Sequence, residues 1–146
     1  RRKRASSSAV RALRRERYAV FIAARDDASS ALTPAMVQGL RDLGLKEDLT
    51  GQLQSSYYAI VTPEGVSEEL GMEALSAAGS FRDGRSVYSV ASAGFSCGND
   101  CSIVIDGQEY ARNRRGLNIV VYDINCKKVV DSVCFDTFSQ DLTVTR

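Results

Sequence analysis

The sequence contains no histidine among its 146 residues. This absence excludes Ser-His-Asp and Cys-His nucleophile systems and any zinc site with histidine ligands. The sequence also lacks the glycine-rich motifs that bind nucleotide phosphates and the spaced acidic loop that binds calcium. We therefore expect a protein that is not an enzyme and that needs no cofactor or metal.

Long apolar runs are lacking as well. No run approaches the roughly 18 residues of a membrane span, so we predict no membrane-spanning segment. The first ten residues, "RRKRASSSAV", lack the apolar centre of a signal peptide, and no Asn-X-Ser/Thr acceptor site for N-glycosylation occurs. A length of 146 residues predicts one domain, and a hydrophobic content of 44% and a charged content of 25% are typical of a soluble globular protein.

The net charge is only +1, which does not indicate a nucleic-acid-binding protein. Positive charge is nevertheless concentrated near the N-terminus, at Arg1, Arg2, Lys3, Arg4, Arg11, Arg14, Arg15 and Arg17. We interpret residues 1–6 as a solvated basic arm and expect no nucleic-acid partner. The alternative is a weak, salt-sensitive contact with nucleic acid or anionic lipid.

The four cysteines are Cys97, Cys101, Cys126 and Cys134. Their C-x3-C and C-x7-C spacings fit a four-cysteine zinc site poorly. The even number permits disulfides in a secreted protein, and buried free thiols are the alternative. Cys126 lies near a predicted turn and Cys134 lies well into the returning strand, so we expect no bond between these two.

Two helices are predicted in the first half of the chain. The stretch "SSSAVRALRRE" is typical of a short amphipathic helix with Ser7 or Ser8 as the N-cap. In "LTPAMVQGLRDLG", Thr33 is the predicted N-cap, Pro34 occupies the first helical position and Gly44 ends the helix. The predicted apolar stripe of this second helix consists of Met36, Val37, Leu40 and Leu43.

Strand patterns occur in both halves but dominate the second. "YAVFIAA" is a continuous apolar run, which predicts a strand buried on both faces, and "SYYAIVT" predicts a strand that ends at Pro63-Glu64-Gly65. Further strands are predicted in "RSVYSVASAG" and "CSIVIDGQEYA", the latter with a tight turn at Asp106-Gly107. "LNIVVYD" and "KKVVDSVCFDTF" predict a hairpin, whereas residues 71–84 are predicted to be a loop. This order indicates an α+β fold built on a largely antiparallel sheet.

Acidic residues follow two predicted strands, where functional sites often lie. Asp26 and Asp27 come after the first strand. Because adjacent side chains tend to point apart, we favour a turn-capping role for Asp27 and a solvated Asp26, or one paired with Arg25, over an acid-base pair. Asp136, in "FDT", is predicted to accept hydrogen bonds from backbone amides.

A glycine directly follows a pair of arginines before the predicted hairpin. Gly116 indicates a special backbone angle or a close approach between backbones. Arg115 then faces either a cavity or bulk solvent, and Arg114 is predicted to be solvated.

The motifs "RGLNIVVYD", "FDT", "DDAS" and "SYYAIVTPEG" together resemble the interleukin-like EMT inducer (ILEI/PANDER-type) domain. This family includes cytokine-like secreted proteins, and the domain also occurs in cell-surface hyaluronan-degrading proteins and as the stem of a Golgi N-acetylglucosaminyltransferase. The family places the "RGLN…FDT" half first, whereas here that order is reversed. The resemblance therefore implies a single domain over 7–146 that is circularly permuted, half-swapped or cut across tandem copies. Residues 7–70 correspond to the family's second half, 85–146 to its first half, and 71–84 to a connecting loop.

The resemblance implies two antiparallel β-layers flanked by short helices, and an extracellular or secretory-pathway location. It also implies a non-catalytic carbohydrate-binding or accessory module with a glycan ligand. The alternatives are a structural or protein-interaction domain with protein partners in a larger extracellular assembly, or a cytokine-like secreted ligand. In the glycosyltransferase stem, a second arginine, located before the aromatic strand, also binds the carbohydrate. The corresponding position in this sequence falls near Ser55, which is not basic. The candidate ligand-binding residues are Arg115, Asp26, Gly116, Asp136 and Tyr58.

Overall fold

The computed structural model describes residues 16–81, 84 and 86–146. Within these residues it contains one complete α-helix, ten β-strands and a short 3-10 turn at Phe95–Cys97. In chain order the elements are β1 (Tyr18–Asp26), α1 (Pro34–Asp42), β2 (Ser56–Thr62), β3 (Gly65–Gly71), β4 (Leu75–Ser80), β5 (Val87–Gly94), β6 (Asp100–Ile105), β7 (Gln108–Glu109), β8 (Gly116–Asp123), β9 (Lys128–Phe135) and β10 (Val144–Thr145). Of the helix predicted from Ser7 or Ser8, only the last residue, Glu16, is described, and Glu16 and Arg17 are helical. The basic arm at 1–6 lies outside the described residues.

All ten strands belong to one curled sheet, whose main path is β10-β9-β8-β1-β5-β6-β7. β1 is its central strand. One edge of β1 pairs with β8 in antiparallel orientation along almost its whole length. The other edge is shared, because β2 pairs with it first and β5 then joins in parallel at Arg25 and Asp26. The broad prediction of an α+β protein with a largely antiparallel sheet is confirmed.

Side-chain hydroxyls form hydrogen bonds at the junction where the partner of β1 on this edge changes from β2 to β5. The Ser92 hydroxyl donates to the Ala24 carbonyl oxygen at 2.5 Å and accepts from the Tyr57 backbone N–H at 2.9 Å. The Ser56 hydroxyl accepts from the Gly94 backbone N–H at 2.9 Å. These hydroxyls satisfy backbone groups that no neighbouring strand reaches, and buried backbone groups without partners are costly.

The alternation of side chains along β1 supplies two hydrophobic cores. Phe21 and Ala23 point into the curled sheet, where Phe81 stacks on Tyr122 with ring centroids 5.1 Å apart. The second core lies on the opposite face and consists of Ile22, Ala24, Ala28, Leu40, Leu45, Leu49, Tyr57, Ala59 and Leu117. A strand with both faces buried must be apolar throughout, so the interpretation of "YAVFIAA" is confirmed.

The predicted turns and caps are also present. The Thr33 hydroxyl accepts from the Met36 backbone N–H at 3.2 Å, and Pro34 starts α1. Gly44 has a φ of +90° just beyond the helix, as expected of a C-terminal stop. Of the predicted apolar stripe only Leu40 is fully buried. The hairpin of β8 and β9 is confirmed, as is the Asp106-Gly107 turn between β6 and β7.

The prediction of a loop over 71–84 was wrong. β4 occupies Leu75–Ser80 within it and pairs with β5 along its full length. The sequence "LSAAGS" lacks the large apolar residues that usually indicate a strand. Small residues suffice because β4 pairs only with β5 among the described strands, and Gly79 leaves room for the ring of Tyr88.

Candidate functional site

Three motifs that are distant in the sequence meet at one end of the sheet. The last residues of β1 are Arg25 and Asp26, and Arg25 lies opposite Gly116 at the start of β8. The neighbouring Leu117 lies opposite Phe135 at the end of β9. The structure thus brings together "ARDD", "RG" and "FDT" because antiparallel pairing places the end of β1 beside the start of β8 and the end of β9.

Gly116 makes this junction possible. Its φ is +112°, a conformation that side-chain-bearing residues rarely adopt. A Cβ atom at this position would collide with the carbonyl oxygen of Phe135 and would lie 2.9 Å from the Asp136 Cα. The sequence indicated either a special backbone angle or a close approach at this glycine, and the structure has both.

Arg115 and Asp136 form an ion pair at this junction. The Arg115 Nε lies 3.1 Å from one oxygen of the Asp136 carboxylate, and its Nη2 lies 2.8 Å from the other. Asp136 also accepts from the backbone N–H groups of Phe138 and Ser139, as predicted for a strand-end acid. The Arg115 hydrogen bond, followed by these amides, lowers the pKa of Asp136. The pair is therefore charged and held in a fixed orientation.

An aromatic ring lies next to this ion pair. The Arg115 guanidinium stacks over the ring of Phe138 at 4.7 Å from the centroid, and Phe138 is 41% exposed. Phe138 directly follows the "FDT" motif but was not predicted from the sequence. The ion pair and the ring together present donors, acceptors and an apolar surface to solvent.

The two adjacent acids have different roles. The Asp27 carboxylate is buried and accepts from both the backbone N–H and the hydroxyl of Ser29, which confirms its turn-capping role. Asp26 is half-buried with a φ of +64°. Both acids are close enough to Arg115 to help raise its pKa, after the larger effect of Asp136. Arg25 does not pair with Asp26 and donates instead to the carbonyl oxygens of Asn99 and Asn113.

Beside the ion pair lies an open polar cleft of about 560 Å³, which we call the arginine cleft. Its lining residues are Arg25, Arg112, Asn113, Arg114, Arg115, Cys134, Asp136, Thr143 and Thr145. Arg115 and Asp136 were predicted from the sequence, whereas Arg25 and Arg112 were not. Arg114, which was predicted to be solvated, is exposed and lines the open cleft. The run of arginines before Gly116 was the signal for Arg112, whereas only the pairing of β10 with β9 brings Thr143 and Thr145 here.

The loop 112–115, which carries three of these arginines, is fixed by hydrogen bonds of two asparagine side chains. The buried Asn118 side chain accepts from the Arg114 backbone N–H at 3.1 Å and donates to the Arg114 carbonyl oxygen at 2.8 Å. The Asn113 side chain accepts from the Cys101 backbone N–H and donates to Asp100. The loop backbone is thereby fixed before any ligand binds, which favours tight binding.

Tyr58 does not belong to the cleft. Its side chain is 4% exposed and packs in the core inside the curled sheet. Burial, followed by a hydrogen bond with Glu69, raises the pKa of its hydroxyl. Its burial leaves Tyr58 unavailable for the ligand-binding role that the resemblance implied, and Phe138 is the aromatic residue beside Arg115.

All four cysteines, which lie in the described part of the chain, are free thiols. The disulfides that their even number allowed are not formed in this structure. Cys101 and Cys134 are buried, and the Cys134 thiol donates to the carbonyl oxygen of Arg115 at 3.3 Å. Cys134 thus lines the cleft and contacts the backbone of the loop that carries Arg115.

The described residues contain no cluster of three or more side chains that could hold a metal ion. Among the same residues, no helix has the length and apolar character needed to cross a membrane. The arrangement at the end of the sheet can hold a ligand by hydrogen bonds, charge and one aromatic face. Comparison of the chain with family models, curated proteins and solved structures found no match.

Proposed function

We propose that this chain is a non-catalytic carbohydrate-binding module whose ligand occupies the arginine cleft beside Arg115 and Asp136. The observation that carries the proposal is the oriented Arg115–Asp136 pair next to the exposed ring of Phe138. Guanidinium N–H groups donate and carboxylate oxygens accept, and the hydroxyl groups of a sugar can do both. An exposed aromatic face packs against the apolar side of a sugar ring.

The resemblance to the ILEI/PANDER-type domain is the second support. It implies sugar contacts at Arg115 and at Asp26, and these two residues lie at the same end of the sheet. We extend the proposal to a domain of that type, with two β-layers, permuted halves and an extracellular or secretory-pathway location.

A glycan-array screen of the folded chain tests the proposal, with Arg115→Ala as the site variant. The matched control is Arg17→Ala. Arg17 forms a similar two-contact ion pair with Asp123 near the start of β1, at the opposite end of the sheet. The two arginine side chains are exposed to similar extents, 47% for Arg17 and 43% for Arg115.

We expect binding to a defined glycan that Arg115→Ala weakens by about tenfold, because charge-assisted hydrogen bonds are lost. Arg17→Ala should leave that binding unchanged. An array without signal from a protein with an intact unfolding transition would overturn the proposal. Equal loss in both variants would show that the effect comes from stability and would place the site elsewhere.

A protein-interaction domain is the second candidate, and the position of β3 favours it. Among the described strands β3 pairs only with β2, and most of its residues are exposed. An edge of this kind can accept a strand from another chain. If the edge self-associates, sedimentation analysis will detect dimers, and Val66→Lys should shift them to monomers. A monomer at all concentrations would argue against a second copy as the partner.

A further inference from the structure

We infer that the arginine cleft selects an acidic glycan, one that carries carboxylate or sulfate groups, over a neutral one. This inference rests on the proposed carbohydrate-binding function and adds the chemical class of the ligand. It is based on three arginines of the cleft that are distinct from the Arg115–Asp136 pair.

Formal charge in the cleft is unbalanced. Four arginines line it, and Asp136 is the only acidic residue among the lining residues. Because Asp136 pairs with Arg115, that arginine is already neutralised. The excess positive charge therefore lies on Arg25, Arg112 and Arg114.

None of these three arginines forms an ion pair with a described residue, although Asp26 and Asp27 lie near the neighbouring Arg115. Arg25 donates to the carbonyl oxygens of Asn99 at 3.0 Å and Asn113 at 2.7 Å. Arg112 donates through Nε to the carbonyl oxygen of Ser132 at 3.1 Å. A carbonyl oxygen orients a guanidinium without cancelling its charge.

The same contacts leave donors free to bind a ligand. The hydrogen bond of Arg112 uses only Nε, so both of its terminal nitrogens remain available, and Nη2 of Arg25 is likewise unused. The Arg114 guanidinium makes no hydrogen bond or ion pair with other described residues, whereas its backbone is fixed by Asn118. Guanidinium groups have no acceptor, and planar carboxylate and sulfate groups fit their paired donors.

The surroundings favour a short acidic saccharide over nucleic acid. Proteins that bind single-stranded nucleic acid stack successive bases on several aromatic rings. The described residues that line the cleft include no aromatic side chain, and the adjoining ring of Phe138 already has one face covered by Arg115. The chain as a whole carries a net charge of only +1, so the excess is local to the cleft rather than part of a broad basic surface.

The test uses isothermal titration calorimetry on the full chain with three probes. The first probe is a heparin-derived hexasaccharide, and the second is the same hexasaccharide after desulfation and reduction of its carboxyl groups. The third is a thymidine hexanucleotide, which carries negative charge without a sugar-acid group. The site variant is Arg112→Gln with Arg114→Gln, which leaves the Arg115–Asp136 pair in place.

The control variant is Lys46→Gln with Lys128→Gln. It removes the same amount of positive charge from two exposed residues that do not line the cleft. The inference predicts that the acidic hexasaccharide binds at least about tenfold more tightly than the neutral one, and that added salt weakens its binding. The arginine variant should lose this preference and the lysine variant should keep it.

Each other result overturns the inference. Equal binding of the acidic and neutral hexasaccharides, or a neutral glycan from the array as the only ligand, would remove the acidic selectivity and leave the carbohydrate-binding proposal standing. Equal binding of the hexanucleotide, or equal loss in the lysine variant, would show unselective attraction of polyanions. Absence of binding to every glycan, on the array and in solution, would overturn both proposals.

Discussion

At the scale of single residues, a glycine can be required by its backbone conformation or by the close approach of another chain segment. Gly116 and Gly107 allow these two requirements to be compared. Both have a positive φ, +112° at Gly116 and +81° at Gly107. A Cβ atom at Gly107 would meet nothing within 4 Å, whereas at Gly116 it would collide with the backbone of β9. The conformation is a local property, but the collision depends on a strand that lies about twenty residues further along the chain.

Gly116→Ala should therefore lower the free energy of unfolding by about 3 kcal/mol or more, since backbone strain and steric overlap add. Gly107→Ala, the control, carries only the strain and should cost about 1 kcal/mol. Urea unfolding followed by circular dichroism measures both values. Equal losses for the two variants would contradict the close approach at Gly116.

At the scale of the elements, β1 is unusual because two strands share one of its edges. The ladder changes from β2 to β5 near Ala24, and Ser92 joins all three strands there. Ser92 is buried, so water cannot replace its hydrogen bonds.

Ser92→Ala should destabilise the fold by about 2 kcal/mol, because the Tyr57 N–H and the Ala24 carbonyl both lose a partner in a buried place. Ser89→Ala on the same strand is the control and should change stability by less than about 0.5 kcal/mol. Hydrogen exchange of the Tyr57 amide should also become faster in Ser92→Ala alone. An unchanged exchange rate would mean that the hydroxyl does not hold the junction.

At the scale of the whole molecule, the folded state decides which thiols can react. Burial raises the pKa of the Cys101 thiol to about 12 and that of the Cys134 thiol to about 11. A raised pKa leaves almost no reactive thiolate near pH 8, and burial blocks access as well. Cys126 is exposed.

Alkylation of the native protein at pH 8, read by mass spectrometry, should therefore label Cys126 rapidly and Cys101 and Cys134 only after unfolding. Labelling in urea without a reductant should reach all four cysteines if they are free as in the structure. If two cysteines stay unlabelled until a reductant is added, they form a disulfide, and the free-thiol assignment of that pair fails.

Features that depend on neighbouring residues could be predicted from the sequence. Thr33 and Pro34 specify the start of α1, Asp106 and Gly107 specify a tight turn, and the apolar run of β1 specifies a strand with two buried faces. Each of these signals acts within one turn or one strand, where backbone conformation and side-chain pattern are directly linked.

Features that depend on strand pairing could not be predicted. β4 was missed because an edge strand can consist of small residues. Tyr58 was assigned to a binding surface because an aromatic residue in a strand fits a core and a platform equally well. Thr143 and Thr145 carry no local signal of a site, since only the pairing of β10 with β9 brings them to it.

By itself, the sequence determined the local elements, the special backbone at Gly116 and the charges of the arginine run before it. The tertiary structure decided that Arg25 joins Arg112 and Arg114 in one cleft and that Asp136 neutralises Arg115 alone. The physical reason is that periodicity and turn chemistry act over a few residues. The balance of charge in the cleft is set instead by long-range pairing, which brings together the end of β1, the start of β8 and the end of β9.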